Sequence, residues 1–388
     1  MPFYHRLGEI PPKRHTVFRK EDGGIHYEHL IGNLGFTGLQ SLVYNLRRPT
    51  AILKTEKVWE RRWEPDPDST LRMRHLRTHE LEMTSPSAVA GRVPLVFNGD
   101  IALSLARPRV DDPFFFRNSQ GDEIVYLSRG HGVLESQFGE LDVTAGDYVV
   151  IPRGIIHRWR LDWSSEPILL VIESHGHVRT PKRYRNEHGQ LLEHSPFCER
   201  DIRPPSRLAT VEETGEFPLV VKKNNEHHML TLDHHPFDAV GWDGYYYPWA
   251  LSIHDFEPIT GRLHQPPPVH QTFEGDGWVL CSFVPRLYDY HPEAVPAPYN
   301  HSNVMSDELL YYCNDEFMSR KGISYGSLTL HPDGLPHGPQ PGRTEASIGK
   351  KETSELAVMV DTFRPLQVSG ASLPCEDPDY QRSWLEEA

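Results

Sequence analysis

Short β-branched or aromatic runs, broken roughly every ten residues by Gly or Asp, dominate the middle of the chain. DEIVYLSRG (122–130), HGVLESQFG (131–139), ELDVTAGD (140–147), YVVIPRG (148–154), HRWRLDW (157–163) and PILLVIES (167–174) follow one another almost without interruption. This is the pattern of an all-β barrel or sandwich. The series resumes with GWVLCSFVPR (277–286), ELLYYCND (308–315), GSLTLHPDG (326–334) and ELAVMVDTFRPL (355–366). Residues 1–110 read as a wrap of loops and short strands, with QSLVYNL (40–46), VPLVFN (93–98) and IALSLAR (101–107) as the strand candidates. Residues 176–240 are polar and read as an irregular connection. No stretch has sustained helical periodicity, and only the terminal SWLEEA (383–388) is a weak helical candidate. The expectation is a mainly β protein.

The two strand series share a motif. Gly146, Pro152, Gly154 and His157 have the spacing of Gly326, Pro332, Gly334 and His337, 180 residues later. Glu123 and Glu308 lie upstream of each copy in strand-like runs, 185 residues apart. Gly supplies the positive φ of a turn, Pro sits at an edge, and together they aim a His from a strand into a barrel. The copies differ in chemistry. His301 stands seven residues before Glu308, which gives the second copy two His and one carboxylate. The first copy has Phe116 and Arg117 where its first His should be. The duplication predicts two units, residues 1–200 without metal and residues 201–388 with a metal site. In the first, His157 and Glu123 are expected to pack and hydrogen-bond rather than to ligate.

At 388 residues the chain can bury two ordinary cores. A net charge of −14 argues against a nucleic-acid surface. The four Cys are widely spaced, so neither a disulfide framework nor a zinc ribbon is expected. No run approaches membrane-spanning length and the N-terminus lacks the apolar core of a signal peptide, so a soluble cytoplasmic protein is expected. His is abundant, 23 residues, clustered from 227 onward, which leans toward an enzyme. His227, His228, His234 and His235 read as surface residues, and the Cys as small buried hydrophobes.

The motif spacing resembles the cupin superfamily, and the second half resembles homogentisate 1,2-dioxygenase through PYNHSNVMSDE (298–308), LHPDGLPHGP (330–339) and WDGYYYP (242–248). The first half is similar more loosely, through FGELDVTAGDYVVIPRG and PPKRHTVFR. The resemblance implies a bicupin of two jelly-roll-like barrels with an N-terminal extension. It also implies a homo-oligomer built on trimers and an Fe(II) held by His301, a carboxylate and His337. The family spacing places the carboxylate on Asp307; register with the first repeat favours Glu308. Two His and one carboxylate leave open positions suited to non-haem Fe(II) oxygenases. The implied reaction is ring cleavage of homogentisate by O2 to maleylacetoacetate, a step of tyrosine and phenylalanine catabolism.

Two departures from the family qualify that reading. Its catalytic His corresponds to Asp243, so His331 is the first substitute as base, with His270 and His264 as further candidates. The family's substrate-binding Arg after the ligand Glu is replaced by Cys313 and Asn314, leaving Tyr311 and Tyr312 as hydrogen-bond donors, with His264 as a further pocket residue. Gentisate or another hydroquinone acid is therefore an alternative substrate. A non-oxidative metal cupin, such as an isomerase, is the competitor from another class.

Overall fold

The computed structural model describes residues 3–302 and 304–385. Every strand expected from the two series forms: Asp122–Arg129, His131–Ser136, Gly139–Thr144, Asp147–Ile151, His157–Leu161 and Ile168–Ser174 in the first, and Trp278–Phe283, Asp307–Tyr312, Ser327–His331 and Ala357–Thr362 in the second. Gln40–Asn45, Val93–Phe97 and Ile101–Ala106 are also strands. Among the described residues, the helical content is short turns and one α-helical segment, Arg343–Ser347. Of SWLEEA, Ser383 and Trp384 close the turn Tyr380–Trp384, while Glu386, Glu387 and Ala388 lie outside the described residues.

The architecture is mainly β, of the cupin type. An eight-stranded and a seven-stranded sheet face each other in the first unit, a six-stranded sheet carries the second, and a four-stranded sheet built largely by the N-terminal segment covers the first. No sheet closes on itself among the described residues. The motif glycines have the positive φ their turns need, +93° and +86° at Gly146 and Gly154, +78° and +92° at Gly326 and Gly334.

The connection expected over 176–240 is not irregular throughout. Thr214–Lys223 and Glu226–His234 form the longest hairpin of the molecule, and pair with Phe115–Asn118 and Ile52–Glu60 in the seven-stranded sheet. Asn224 and Asn225 turn it with φ of +54° and +62°, the two-residue left-handed turn that fits strand twist. The hairpin's half-exposed polar faces disguise it in the sequence.

Strand pairing crosses the boundary expected at residue 200. Trp249–Ser252 pairs with Asp147–Val150, Gln367–Val368 joins the eight-stranded sheet, and Arg74–Arg77 edges the second unit's sheet beside Ser327–Leu330. One hydrophobic core runs through both units, with Trp242, Trp249 and Trp278 fully buried. Tyr148 and Ser282 hydroxyls join the units at 2.8 Å.

Candidate metal centre

Asp307–Tyr312 is the central strand of the site. Glu308 faces His331 on one neighbouring strand and Asp361 on the other. The Pro332–Gly334 turn then brings His337 back, where its backbone exchanges hydrogen bonds with His301 at 2.8 and 3.0 Å. The 301 loop is further pinned by the Met305 amide donating to Asp333 at 2.8 Å. Residues far apart in sequence are thus fixed by backbone pairing before their side chains interact.

His301 Nδ1 lies 3.1 Å from the Tyr299 carbonyl, and His337 Nδ1 3.1 Å from the Leu335 carbonyl. Each carbonyl selects the tautomer with its proton on Nδ1, leaving the Nε2 lone pair free. Both Nε2 atoms face Glu308 Oε2, at 3.8 and 3.7 Å, too long for hydrogen bonds. The three ligand atoms lie within 4.8 Å of one another, and His337 Nε2 is buried without a hydrogen-bond partner. Two imidazole lone pairs and a carboxylate converging across an open centre fit a divalent cation. Burial opposes the charge of Glu308, but the His301, His331 and His337 imidazoles outweigh it and hold the carboxyl well below its usual range.

Asp307 points elsewhere. Its two oxygens accept the Asp333 and Leu366 amides at 2.7 and 2.6 Å, so it ties loops together while Glu308 joins the cluster. Of the two carboxylates offered by the sequence, Glu308 is the one that lies beside the two imidazoles.

A cavity of about 410 Å³ opens beside the cluster, with Phe283, Phe317, Met318 and several prolines in its walls. Of the expected residues, His264 and His270 line it with His301 and Glu308. His264 sits edge-on to Tyr299, with its Nδ1 3.7 Å from Asp289. His270 stacks on Phe283 at 4.6 Å with Nδ1 unpartnered, and burial, then Arg286, pushes its pKa down to about 3.

The structure places four other candidates away from the cavity wall. His331 is buried behind Glu308, with Nδ1 2.8 Å from Glu308 and Nε2 3.2 Å from the Tyr380 hydroxyl. Both ring nitrogens are engaged, the geometry of a group that orients Glu308 rather than one that meets a substrate. Burial lowers its pKa to about 4. Tyr311 gives its hydroxyl to Ser128 and Tyr312 to Thr329, each at 3.0 Å and fully buried. Asp243 lies in the four-stranded sheet, held by Arg14 at 2.7 Å and Tyr4 at 3.1 Å.

Four charged residues of the cavity were not singled out from the sequence: Arg286, Arg320, Glu355 and Asp361. Arg286 pairs with Glu355 at 2.8 Å. Arg320 donates to the Gly338 carbonyl at 2.8 Å, approaches Glu308 at 3.8 Å, and keeps a buried, unpartnered Nε. Asp361 has an unpartnered Oδ1, and burial, with Glu308 beside it, pushes its pKa up to about 8. Asp361 was detectable in principle, since Glu173 holds the matching register beside Glu123. The two Arg belong to no motif.

A mainly β, cupin-type fold with a His–Glu–His cluster beside a cavity defines a metal-cupin type of centre. The comparisons narrow the class. The chain is 44% identical, over 99% of both chains, to a Saccharolobus solfataricus protein provisionally named a dioxygenase. Residues 98–253 match the family model homogentisate 1,2-dioxygenase N-terminal. It is 28% identical to homogentisate 1,2-dioxygenase of Bradyrhizobium diazoefficiens over 72% of this chain, and 27% identical to that of Oryza sativa subsp. japonica over 70%. Those alignments span 64% and 60% of the two relatives' own lengths. A solved cupin 2 conserved barrel domain protein from Leptotrichia buccalis aligns at 10% identity and TM-score 0.35, covering 75% of this chain and 99% of that one. The chain belongs to the homogentisate 1,2-dioxygenase family.

Proposed function

We propose that the protein is an Fe(II)-dependent ring-cleaving dioxygenase that converts homogentisate and O2 to maleylacetoacetate, with both oxygen atoms retained in the product. The observation that carries this reading is the convergence of His301 Nε2, His337 Nε2 and Glu308 Oε2 at the edge of a cavity with aromatic walls. His301, Glu308 and His337 would hold the iron, which would supply O2 activation and electron transfer between the phenolic ring and O2.

The chain's own residues do the rest. Phe283, Phe317 and Met318 give the ring an apolar seat and exclude water. Arg286 and Arg320 offset Glu355 and Glu308, so a divalent cation leaves the cavity net positive and suited to an anionic aromatic acid. They stand in for the Arg missing after Glu308. His264 is the cavity imidazole best connected to solvent, and a proton accepted there faces the Asp289 carboxylate. His331 is a positioning residue that fixes Glu308, and Asp243 has a structural role in its sheet. The first unit carries no metal, and a trimer-based homo-oligomer accompanies the family reading.

The test is oxygen uptake by the Fe(II)-reconstituted protein with homogentisate, followed by the absorbance of the ring-opened product. One O2 consumed per substrate is expected. Uptake with gentisate but not homogentisate would move the substrate assignment to another hydroquinone acid. Turnover without O2 would favour an isomerase.

A further inference from the structure

The strand Phe115–Asn118 turns successive side chains to opposite faces of its sheet. Phe116 meets His157 on one face. Arg117 faces the other, into a second cavity of about 50 Å³ between the seven-stranded sheet and the N-terminal four-stranded sheet. Ile156, Leu219, Leu230 and Leu232 form its apolar side, and His29 and Asn45 its polar side.

The Arg117 side chain has no hydrogen bond, ion pair or ring contact among the described residues, and its Nε is buried without a partner. Burial lowers its pKa to about 10 with no acid acting against the shift, so it remains a cation at neutral pH. Arg117 is half-buried, and folded proteins seldom leave even part of a guanidinium buried without a partner, because desolvation of the charge is unfavourable. His29 and Asn45 likewise have no side-chain partner among the described residues. Asp238 is the acid of the cavity, and it is already committed: it accepts the Arg47 amide at 2.7 Å and faces His234 Nε2 at 3.7 Å. The cavity therefore offers a forked cation, an imidazole and an amide to a guest, with room for a group of a few heavy atoms.

We propose that this cavity binds a small planar oxyanion of the carboxylate class, formate- or bicarbonate-sized, through a two-pronged contact with Arg117 supported by His29 and Asn45. A planar guanidinium matches the two oxygens of such an anion better than it matches a spherical halide. The site is separate from the His301–Glu308–His337 cluster and stands whether or not the ring-cleavage reading does.

The experiment follows the full chain's thermal unfolding in a buffer free of chloride and small carboxylates while sodium formate is titrated. A saturable rise in Tm of about 3–5 °C is expected at a hundredfold excess over half-saturation. Chloride at the same ionic strength should give less. Arg117→Met should abolish the response and raise the starting Tm, because the variant removes an uncompensated charge. In parallel, the ¹³C-formate resonance should broaden with the unmodified protein, a readout that does not depend on the variant folding. No broadening, a chloride effect equal to that of formate, or a formate effect that survives in Arg117→Met would overturn the proposal. So would a change in oligomer mass on Arg117→Met without formate, since Arg117 would then pair with an acid of a neighbouring subunit.

Discussion

The two repeats place the same backbone around opposite chemistry. In the second unit Glu308 is flanked by His331 and Asp361, and His337 bridges to His301. In the first unit Glu123 is flanked by Ile151 and Glu173, and His157 pairs with Phe116. The missing imidazole is replaced by a phenyl ring, and the place of a metal cation by Arg92, whose guanidinium meets both oxygens of Glu123 at 2.7 and 2.9 Å. Lys222 and Asn118 satisfy Glu173 in the same way. Side chains in and beside the eight- and seven-stranded sheets neutralise the buried carboxylates of the first copy. Both copies leave the Nε2 of the motif histidine, His157 and His337, without a hydrogen-bond partner, and the second also leaves Asp361 Oδ1 and Arg320 Nε unpartnered. The two copies differ in what answers the strand carboxylate: a guanidinium on Glu123, two converging imidazoles on Glu308.

That contrast can be broken by substitution. The largest effect is expected from His337→Ala, which removes one of two imidazole ligands. Turnover should fall by at least about 10³-fold, and steady-state assays on the iron-loaded variant check it. Next comes Arg92→Met, which strands Glu123 as an unpaired buried charge. Chemical denaturation should show a loss of about 3–5 kcal/mol, partly recovered in Arg92→Met/Glu123→Gln.

The same pair predicts a pH dependence. Burial opposes the charge on Glu123, but Arg92 overcomes it and lowers the pKa from 4.5 to about 2. The unfolded chain therefore binds this proton more tightly. The stabilisation is fully present above pH 4.5 and is lost as pH falls toward 2, up to about 3 kcal/mol in all. Unfolding of Glu123→Gln should lack this component, and an equal acid slope in both proteins would contradict the assignment. A smaller effect is expected at Asp307: Asp307→Asn should cost about 1–2 kcal/mol of stability while metal stays bound. His331→Phe should keep the fold and slow turnover, with a shift in metal affinity of about 10–100-fold that a base would not cause.

Much of this was legible in the chain. Alternating apolar runs and Gly/Asp punctuation located the strands of both series, because each strand buries one face against the common core. The repeated Gly–Pro–Gly–His spacing located His337 and, by register, Glu308. The hairpin 214–234 was hidden because it carries Pro218, several Lys and His, and a half-exposed face, so its local composition looks like a connection. The cavity wall departs from the expected residues where side-chain direction mattered. Tyr312 shares a strand face with Glu308 and Leu310 and Tyr311 takes the opposite face, yet both hydroxyls find partners inside the core. His331 shares the ligand's strand pair but is screened from the cavity by Glu308. Arg92 and Arg286 reach Glu123 and Glu355 across long sequence separations, and Arg320 approaches Glu308 from outside any strand, contacts that no local pattern records.

The central claim is that one unit of this chain holds a metal where the other holds an arginine. Metal analysis of the Fe(II)-reconstituted protein measures it directly. The account predicts one ion per chain, lost in Glu308→Gln and retained in Glu123→Gln. Two ions per chain, or one ion that survives Glu308→Gln, would contradict it.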